Sequence, residues 1–248
     1  MTPSIYTSIA DSQAVSPDAA AALVIGASGG LGAALTQGLR GQLHYTQVLA
    51  LSRSSLPVLD YAQEDSLVQA AQWVAGQCSH TPLRLIIVAT GMLHIDGAGP
   101  EKSLAHMDAD YLRKVFAINA IGPALVLKHF APLLSKQGDV RVVMVSAKVG
   151  SIADNALGGW IGYRASKAAL NQIVKTASIE LARRNKASIC VALHPGTVDT
   201  ALSKPFGKSG LNVRSPDVAA SEILGVIHGL SALDTGSFVD YLGAKLPW

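Results

Sequence analysis

The sequence predicts a single-domain, doubly wound α/β fold, in which helices cover both faces of a parallel β-sheet. Short apolar runs alternate with longer segments of helical period, which is the pattern of repeated strand and helix units. Each short run is apolar nearly throughout, as in a strand that is buried on both faces. The chain of 248 residues is 49% hydrophobic and 15% charged, which provides enough apolar surface for one core.

The predicted elements follow one another along the chain. Strands are expected over residues 22–26, 48–52, 83–89, 140–146, 188–194 and 238–241. Helices are expected over residues 31–40, 66–77, 106–134, 163–184 and 216–230, the third of them interrupted at Gly122-Pro123. Residues 1–20 are interpreted as a flexible N-terminal arm before a domain over 21–248, and residues 203–215 as an exposed loop.

Composition argues against several classes of function. The formal net charge is +3 and the Lys and Arg residues are scattered, which speaks against a nucleic-acid or membrane partner. No apolar run approaches the roughly 20 residues that span a bilayer. Cys78 and Cys190 have no His or Cys partner at metal-ligand spacing, so we expect free thiols, no metal site and a reducing, cytoplasmic location.

A glycine-rich segment stands between the first predicted strand and helix. It reads Gly26-Ala27-Ser28-Gly29-Gly30-Leu31-Gly32. Glycines at such a turn let the backbone approach a pyrophosphate, and the helix start directs N–H groups at the anion. The segment therefore predicts a Rossmann-type dinucleotide site, with a plain glycine loop as the alternative.

A tyrosine and a lysine lie four residues apart on the long predicted helix. Tyr163 and Lys167 share one helix face, so the phenol and the ammonium should lie side by side. A nearby cation favours phenolate, which lowers the tyrosine pKa and makes it a proton donor or acceptor near neutral pH. Taken alone, the pair is also common on helix surfaces.

Together these motifs resemble those of the short-chain dehydrogenase/reductase family, from about Ala22 to the C-terminus and in the family's order. The matching residues are Gly26, Gly30 and Gly32, then Asn119, then Tyr163 and Lys167, then Pro195-Gly196 with Thr200. The resemblance implies that Tyr163 is the general acid, that Lys167 holds the nicotinamide ribose, and that Asn119 supports a proton-supplying water chain. It also implies a homodimer or homotetramer.

The same resemblance implies a serine at the end of the fourth strand that binds the substrate oxygen. Ser146 is the candidate, although it lies 17 positions before Tyr163, farther than is usual in the family. Residues 154–160 are interpreted as a local insertion. If the alignment shifts by one residue, Ala147 takes the serine position and Ser151 is a weaker substitute. Ser146 would then only satisfy local backbone groups.

Residues at the end of the second strand predict the choice of cofactor. Ser52 and Arg53 stand there without an acid, and an arginine can pair with a 2′-phosphate, so NADP(H) is favoured and NAD(H) remains the alternative. As a lone side chain, Arg53 could also be a solvated surface charge. The residues expected to contact the cofactor are Gly26, Ser28, Gly30, Leu31, Gly32, Ser52, Arg53, Asp60, Tyr61, Ala89, Thr90, Gly91, Tyr163, Lys167, Pro195, Gly196, Val198 and Thr200.

These inferences predict an NADP(H)-dependent oxidoreductase that transfers hydride between nicotinamide and a small, apolar carbonyl compound or secondary alcohol. Residues 203–215 would form a short lid. The segments 146–152 and 163–171 resemble the subgroup of C-factor and Sniffer-type carbonyl reductases. The alternatives are a catalytically weak dinucleotide-sensing or signalling protein and a scaffold that has kept the fold.

Overall fold

The centre of the molecule is a parallel sheet of six strands. The structure is a computed structural model that describes residues 19–95, 99–203 and 212–248. The sheet order is β2-β1-β3-β4-β5-β8, and a separate pair is formed by β6 and β7. The strands are β1 (Ala20–Ile25), β2 (Tyr45–Leu51), β3 (Leu83–Val88), β4 (Val140–Val145), β5 (Ser188–His194), β6 (Thr197–Val198), β7 (Val213–Arg214) and β8 (Phe238–Asp240).

Helices cover both faces of this sheet. They are α1 (Gly30–Arg40), α2 (Glu64–Gln77), α3 (Ala109–Phe116), α4 (Gly122–Phe130), α5 (Ile161–Arg184) and α6 (Pro216–Gly229). Apolar side chains of α1 and α6 pack on one face, and those of α2, α4 and α5 pack on the other. The prediction of a doubly wound α/β fold is therefore confirmed.

The sheet topology brings distant segments to one edge. Parallel strands end at the same edge, and the chain order reverses on either side of β1, which opens a crevice at the carboxyl end of that strand. The segments that follow β1, β2, β3, β4 and β5 meet at this edge. They contain most of the residues that the sequence singled out for cofactor binding and catalysis.

The helix predicted over residues 106–134 is not broken at Gly122-Pro123. It begins at Ala109, where the Asp108 side chain accepts the Tyr111 N–H at 2.7 Å, and it continues through a π-helical turn at Ala117–Ile121 into α4. The wider turn accommodates Pro123, which has no N–H to donate to the preceding turn. Asn119 lies within this π-helical turn, a feature that is frequent at functional sites.

This composite helix, Ala109–Leu133, is also long and apolar enough to span a membrane by length and composition. Its most apolar window has a mean hydropathy of 1.3, so the expectation that no apolar segment approaches this length is wrong. The window is 44% buried, and the helix packs against α2 and α5. One such helix is weak evidence for a membrane span, because a core helix of a soluble protein meets the same criterion.

Two predicted boundaries differ from the structure. Strand β1 begins at Ala20, which is fully buried and was assigned to the arm; residues 1–18 lie outside the described residues. In the predicted loop 203–215, Val213–Arg214 pair with Thr197–Val198 as β7, and residues 204–211 lie outside the described residues. Val213 and Arg214 therefore belong to a strand and not to a loop.

Candidate active site

The glycine turn after β1 leaves no room for side chains. Gly26 has φ +87°, and a Cβ there would lie 2.9 Å from Thr90 Cγ2. A Cβ on Gly32 would clash with the Gly26 carbonyl, because the helix folds back on the turn. The first turn of α1 has no acidic side chain and no side-chain cap, so its N–H groups are not bonded to a capping side chain. The turn thus has the shape and polarity that a pyrophosphate requires.

Asn119 is held rigidly beside the end of β3. Its side-chain oxygen accepts the Met92 N–H at 2.8 Å, and its amide donates to Met92 O at 2.9 Å and to Ser166 Oγ at 3.0 Å. The residue is fully buried. These bonds join the π-helical turn to the segment after β3 and to α5, which fixes the asparagine in one orientation.

Lys167 reaches the same place from α5. Its ammonium donates to the Val145 carbonyl at 3.0 Å. A Cβ placed on Gly91 would stand 3.7 Å from Lys167 Nζ and 3.8 Å from Asn119 Oδ1, so the three predicted residues converge. Burial lowers the pKa of Lys167 to about 8, which leaves the side chain mainly charged at pH 7.

Tyr163 lies one helical turn before Lys167 and is 6% exposed. It belongs to an apolar cluster with Leu93, Tyr111 and Val115. The side chains that flank this cluster are Met92, Ile95, Phe116, Ala147, Val149, Trp160 and Leu202. The surroundings of the phenol are therefore mainly hydrocarbon and aromatic.

The pKa of Tyr163 does not follow the sequence-based expectation. Burial raises it above its ordinary value, and the neighbouring Tyr111 contributes in the same direction. The net shift is therefore opposite to the expected lowering, because the loss of hydration is its largest cause. Tyr163 consequently holds its proton throughout the neutral range, which is the form that a general acid needs.

The hydroxyl of Ser146 bonds to a side chain on α5. It donates to Asn171 Oδ1 at 2.7 Å, two helical turns beyond Tyr163, and Ser146 is 2% exposed. Ala147 is the residue that packs against the Tyr163 cluster. Ser151 donates its hydroxyl to the Trp248 carbonyl at 3.2 Å. The geometry favours the alternative in which Ala147 takes the serine position.

Arg53 follows β2 in a turn built from serines. Ser55 Oγ accepts the Ser52 N–H at 2.8 Å, and Ser52 Oγ accepts the Ser54 N–H at 3.2 Å. Arg53 is exposed at this turn, and no acid in the part of the chain that the structure describes pairs with it. The Gly26 and Ala27 N–H groups donate to the Leu51 carbonyl, which places the serine turn next to the glycine turn.

Asp60 and Tyr61 have structural contacts of their own. Asp60 Oδ1 accepts the Ala62 N–H at 3.0 Å, and the Tyr61 hydroxyl lies 3.0 Å from Thr90 Oγ1. A Cβ on Gly122 would clash with the Tyr61 ring. Thr90 thus lies between Tyr61 and the glycine turn, where it connects the ends of β1 and β3.

The Pro195-Gly196 turn is held by a buried arginine. The Arg214 guanidinium donates to the Pro195 carbonyl, pairs with Glu222, and lies 3.4 Å from the centre of the Tyr241 ring. Gly196 has φ +70°, and a Cβ there would clash with this guanidinium. Further along, Thr200 Cγ2 lies 3.0 Å from the Cβ position of Gly30. The turn therefore faces the glycine loop, as the motifs predict.

The sequence analysis did not predict three residues at this edge of the sheet: Asn171, Glu101 and Arg214. Asn171 lies four residues after Lys167, and that spacing could have indicated it. Glu101 and Arg214 join the site through tertiary contacts that no local pattern encodes. In the described ranges, no group of three or more His, Cys, Asp or Glu side chains is placed to hold a metal ion.

Several known proteins are similar to this chain. The short chain dehydrogenase profile matches residues 20–209. The C-signal protein of Myxococcus xanthus is 38% identical over 143 residues, which are 57% of this chain and 82% of that protein. Two solved structures cover 92% of this chain: the carbonyl reductase Sniffer of D. melanogaster (TM-score 0.80, 23% identity, 99% of that chain) and an NADPH-bound carbonyl reductase from chicken fatty liver (TM-score 0.81, 24% identity, 94% of that chain).

These matches confirm the resemblance to C-factor and Sniffer-type proteins. The family profile covers both the glycine turn and the Tyr163–Lys167 pair, on which the sequence-based interpretation depended. The chain belongs to the short chain dehydrogenase family.

Proposed function

We propose that the protein is an NADP(H)-dependent carbonyl reductase or alcohol dehydrogenase with Tyr163 as its general acid. The observation that carries this proposal is the convergence of Lys167, Asn119 and Gly91 at the sheet edge that also holds the glycine turn. A dinucleotide site and a buried, protonated phenol at one edge are what hydride transfer to a carbonyl requires.

The residues present fit a nicotinamide dinucleotide. A Cβ on Gly26 would meet Thr90 and one on Gly32 would clash with the Gly26 carbonyl, so only glycine allows this tight turn, and the start of α1 offers N–H groups to a pyrophosphate. Arg53 provides an exposed cation at the end of β2, which supports NADP(H) over NAD(H) because a guanidinium matches a phosphate. When bound, the cofactor supplies the hydride.

The chain's own side chains move and hold the proton. Tyr163 donates its proton to the carbonyl oxygen as the carbonyl carbon is reduced, and the phenol becomes phenolate. The Lys167 ammonium stabilises that negative charge from one turn further along α5. Asn119 keeps the neighbouring π-helical turn and α5 in register through its bond to Ser166. In the reverse direction, the same phenolate removes the proton of an alcohol.

The surroundings of Tyr163 support a small apolar substrate. Leu93, Ile95, Val149 and Trp160 belong to or flank its cluster. Such a lining binds hydrocarbon groups well and disfavours charged ones, which would lose their hydration without compensation. A homodimer or homotetramer and a cytoplasmic location remain predictions.

One observation favours the weaker-catalyst alternative. Ala147, rather than a serine, packs against the Tyr163 cluster, so the substrate oxygen has one hydroxyl partner fewer. Removing one such donor from an enzyme typically slows the reaction about 100-fold or more. A dinucleotide-sensing protein with slow turnover is therefore the second candidate.

A single experiment distinguishes the reductase from the dinucleotide-sensing protein. Purified protein is titrated with NADPH and with NADH by fluorescence, and then offered a panel of ketones, aldehydes and quinones. The reductase proposal predicts tighter binding of NADPH and oxidation of NADPH by at least one apolar carbonyl compound. Tight binding with no turnover on the whole panel would favour the sensing protein, and no binding of either cofactor would contradict both.

A further inference from the structure

The segment that leads into α5 has an unusual backbone. Gly158 and Gly159 both have φ +65°, and Trp160 has φ +52°. The left-handed region is open to glycine but is strained for a large aromatic side chain. A strained residue of this kind persists only where its surroundings enforce it, and such residues concentrate at functional sites. Trp160 is also the last residue before the helix that carries Tyr163.

Glu101 holds this strained segment in place. Its backbone carbonyl accepts the Trp160 N–H at 2.6 Å, and both of its carboxylate oxygens lie 3.2 Å from the Gly162 nitrogen. The residue is 5% exposed. A buried carboxylate loses much hydration free energy, and the positive end of α5 offsets part of that loss. The carboxylate and the start of α5 therefore stabilise each other in this arrangement.

The fit between Glu101 and the start of α5 is tight. A Cβ on Gly162 would lie 2.9 Å from Glu101 Oε1 and 2.8 Å from Leu112 Cδ2, so no other residue type fits there without a shift. Arg164 holds the same segment from the other end by donating to the Gly159 carbonyl at 2.9 Å. Trp160 is thus fixed by hydrogen bonds before and after it.

This anchor determines where two aromatic rings lie. The Trp160 ring packs edge-to-face on the Tyr163 ring, with 6.2 Å between centroids. Both belong to or flank the apolar cluster that surrounds the phenol. A movement of the α5 start would therefore shift the general acid and one wall of its pocket together.

We propose that Glu101 is a positioning residue: its carboxylate accepts the Gly162 N–H and fixes the start of α5, which holds Tyr163 at its reacting distance and Trp160 as a wall of the substrate pocket. The role rests on the proposed reductase function. The carboxylate acts through the start of α5, to which it is bonded. Because misplacement by about 1 Å can cost roughly 100-fold in rate, loss of the anchor should lower kcat about 10- to 100-fold. It should also reduce the ratio of kcat/KM values between small and bulky carbonyl compounds.

The test compares Glu101→Ala and Glu101→Gln with Glu180→Ala, which removes an exposed acid from α5 itself. For each protein, kcat and KM are measured for a small and a bulky apolar ketone, together with the dissociation constant of NADPH. The ratio of the two kcat/KM values does not depend on the fraction of folded enzyme, so a merely unstable variant leaves it unchanged. Amide exchange of residues 160–164 reports the anchor directly.

We expect Glu101→Ala to lose at least 10-fold in kcat and several-fold in the substrate ratio, with faster exchange at 160–164 and NADPH binding within two-fold. Glu101→Gln keeps the shape and one acceptor oxygen, so it should recover much of the loss; Glu180→Ala should match the wild type. An unchanged substrate ratio and kcat in Glu101→Ala would overturn the positioning role alone. Absence of turnover in the wild type would instead overturn the proposed function.

Discussion

Replacing Ser146 by alanine tests whether its hydroxyl serves the reaction or the structure. The Ser146→Ala variant loses the 2.7 Å bond to Asn171 Oδ1, and that buried oxygen is then left without its donor. An unmade buried hydrogen bond of this kind costs about 1 to 2 kcal/mol. For a chain of this size, the expected fall in Tm is about 2 to 8 °C. We expect kcat/KM for carbonyl reduction to change less than about three-fold.

The matching variant is Ala147→Ser, which places a hydroxyl against the Tyr163 cluster. A hydroxyl there could donate to the substrate oxygen, so we expect kcat to rise, by about 10-fold or more. Thermal unfolding and steady-state kinetics of both variants provide the assay. A fall of about 100-fold in kcat/KM for Ser146→Ala with an unchanged Tm would refute this reasoning, because the hydroxyl would then leave Asn171 to bind substrate.

Three other changes test separate parts of the account. Arg53→Ala should weaken NADPH binding about 10-fold and leave NADH binding unchanged, as measured by fluorescence titration, since the guanidinium pairs with the 2′-phosphate alone. Burial lowers the pKa of His194 to about 4, below its unfolded value, so the native state resists protonation and stability should be lost as pH falls from about 6.5 to 4. From pH 6.5 to 4, the wild type should lose about 2 to 3 kcal/mol more stability than His194→Asn, as measured by urea titrations at each pH. Gly122→Ala should lower stability by about 1 to 3 kcal/mol because its Cβ meets the Tyr61 ring, and a Tyr61→Ala background should remove most of that difference.

Much of the fold is encoded locally. Strand β5 was predicted with its observed ends, because an unbroken apolar run between polar residues has one simple interpretation. The helix that carries Asn119 was misjudged, because Pro123 is a strong local signal for a break. The π-helical turn that precedes Pro123 packs against α5, and no window of sequence contains such a tertiary contact.

The candidate site, like the fold, could be predicted from the sequence only in part. The glycine turn and the Tyr163–Lys167 pair follow from spacing along single elements, so sequence alone located them. The partner of Ser146 could not be predicted, because the choice between Asn171 and the substrate depends on side-chain direction at a strand end. The pKa of Tyr163 went the other way from the expectation, since spacing reveals a neighbouring cation but not the depth of burial.

The most direct test of the central claim is the rate of NADPH oxidation by Tyr163→Phe, measured with the best carbonyl substrate of the wild type. The variant keeps the ring that packs on Trp160 and removes the proton donor alone. We predict a fall in kcat of about 100-fold or more with NADPH binding within about two-fold of the wild type. Retention of wild-type kcat by Tyr163→Phe would contradict the assignment of Tyr163 as the general acid.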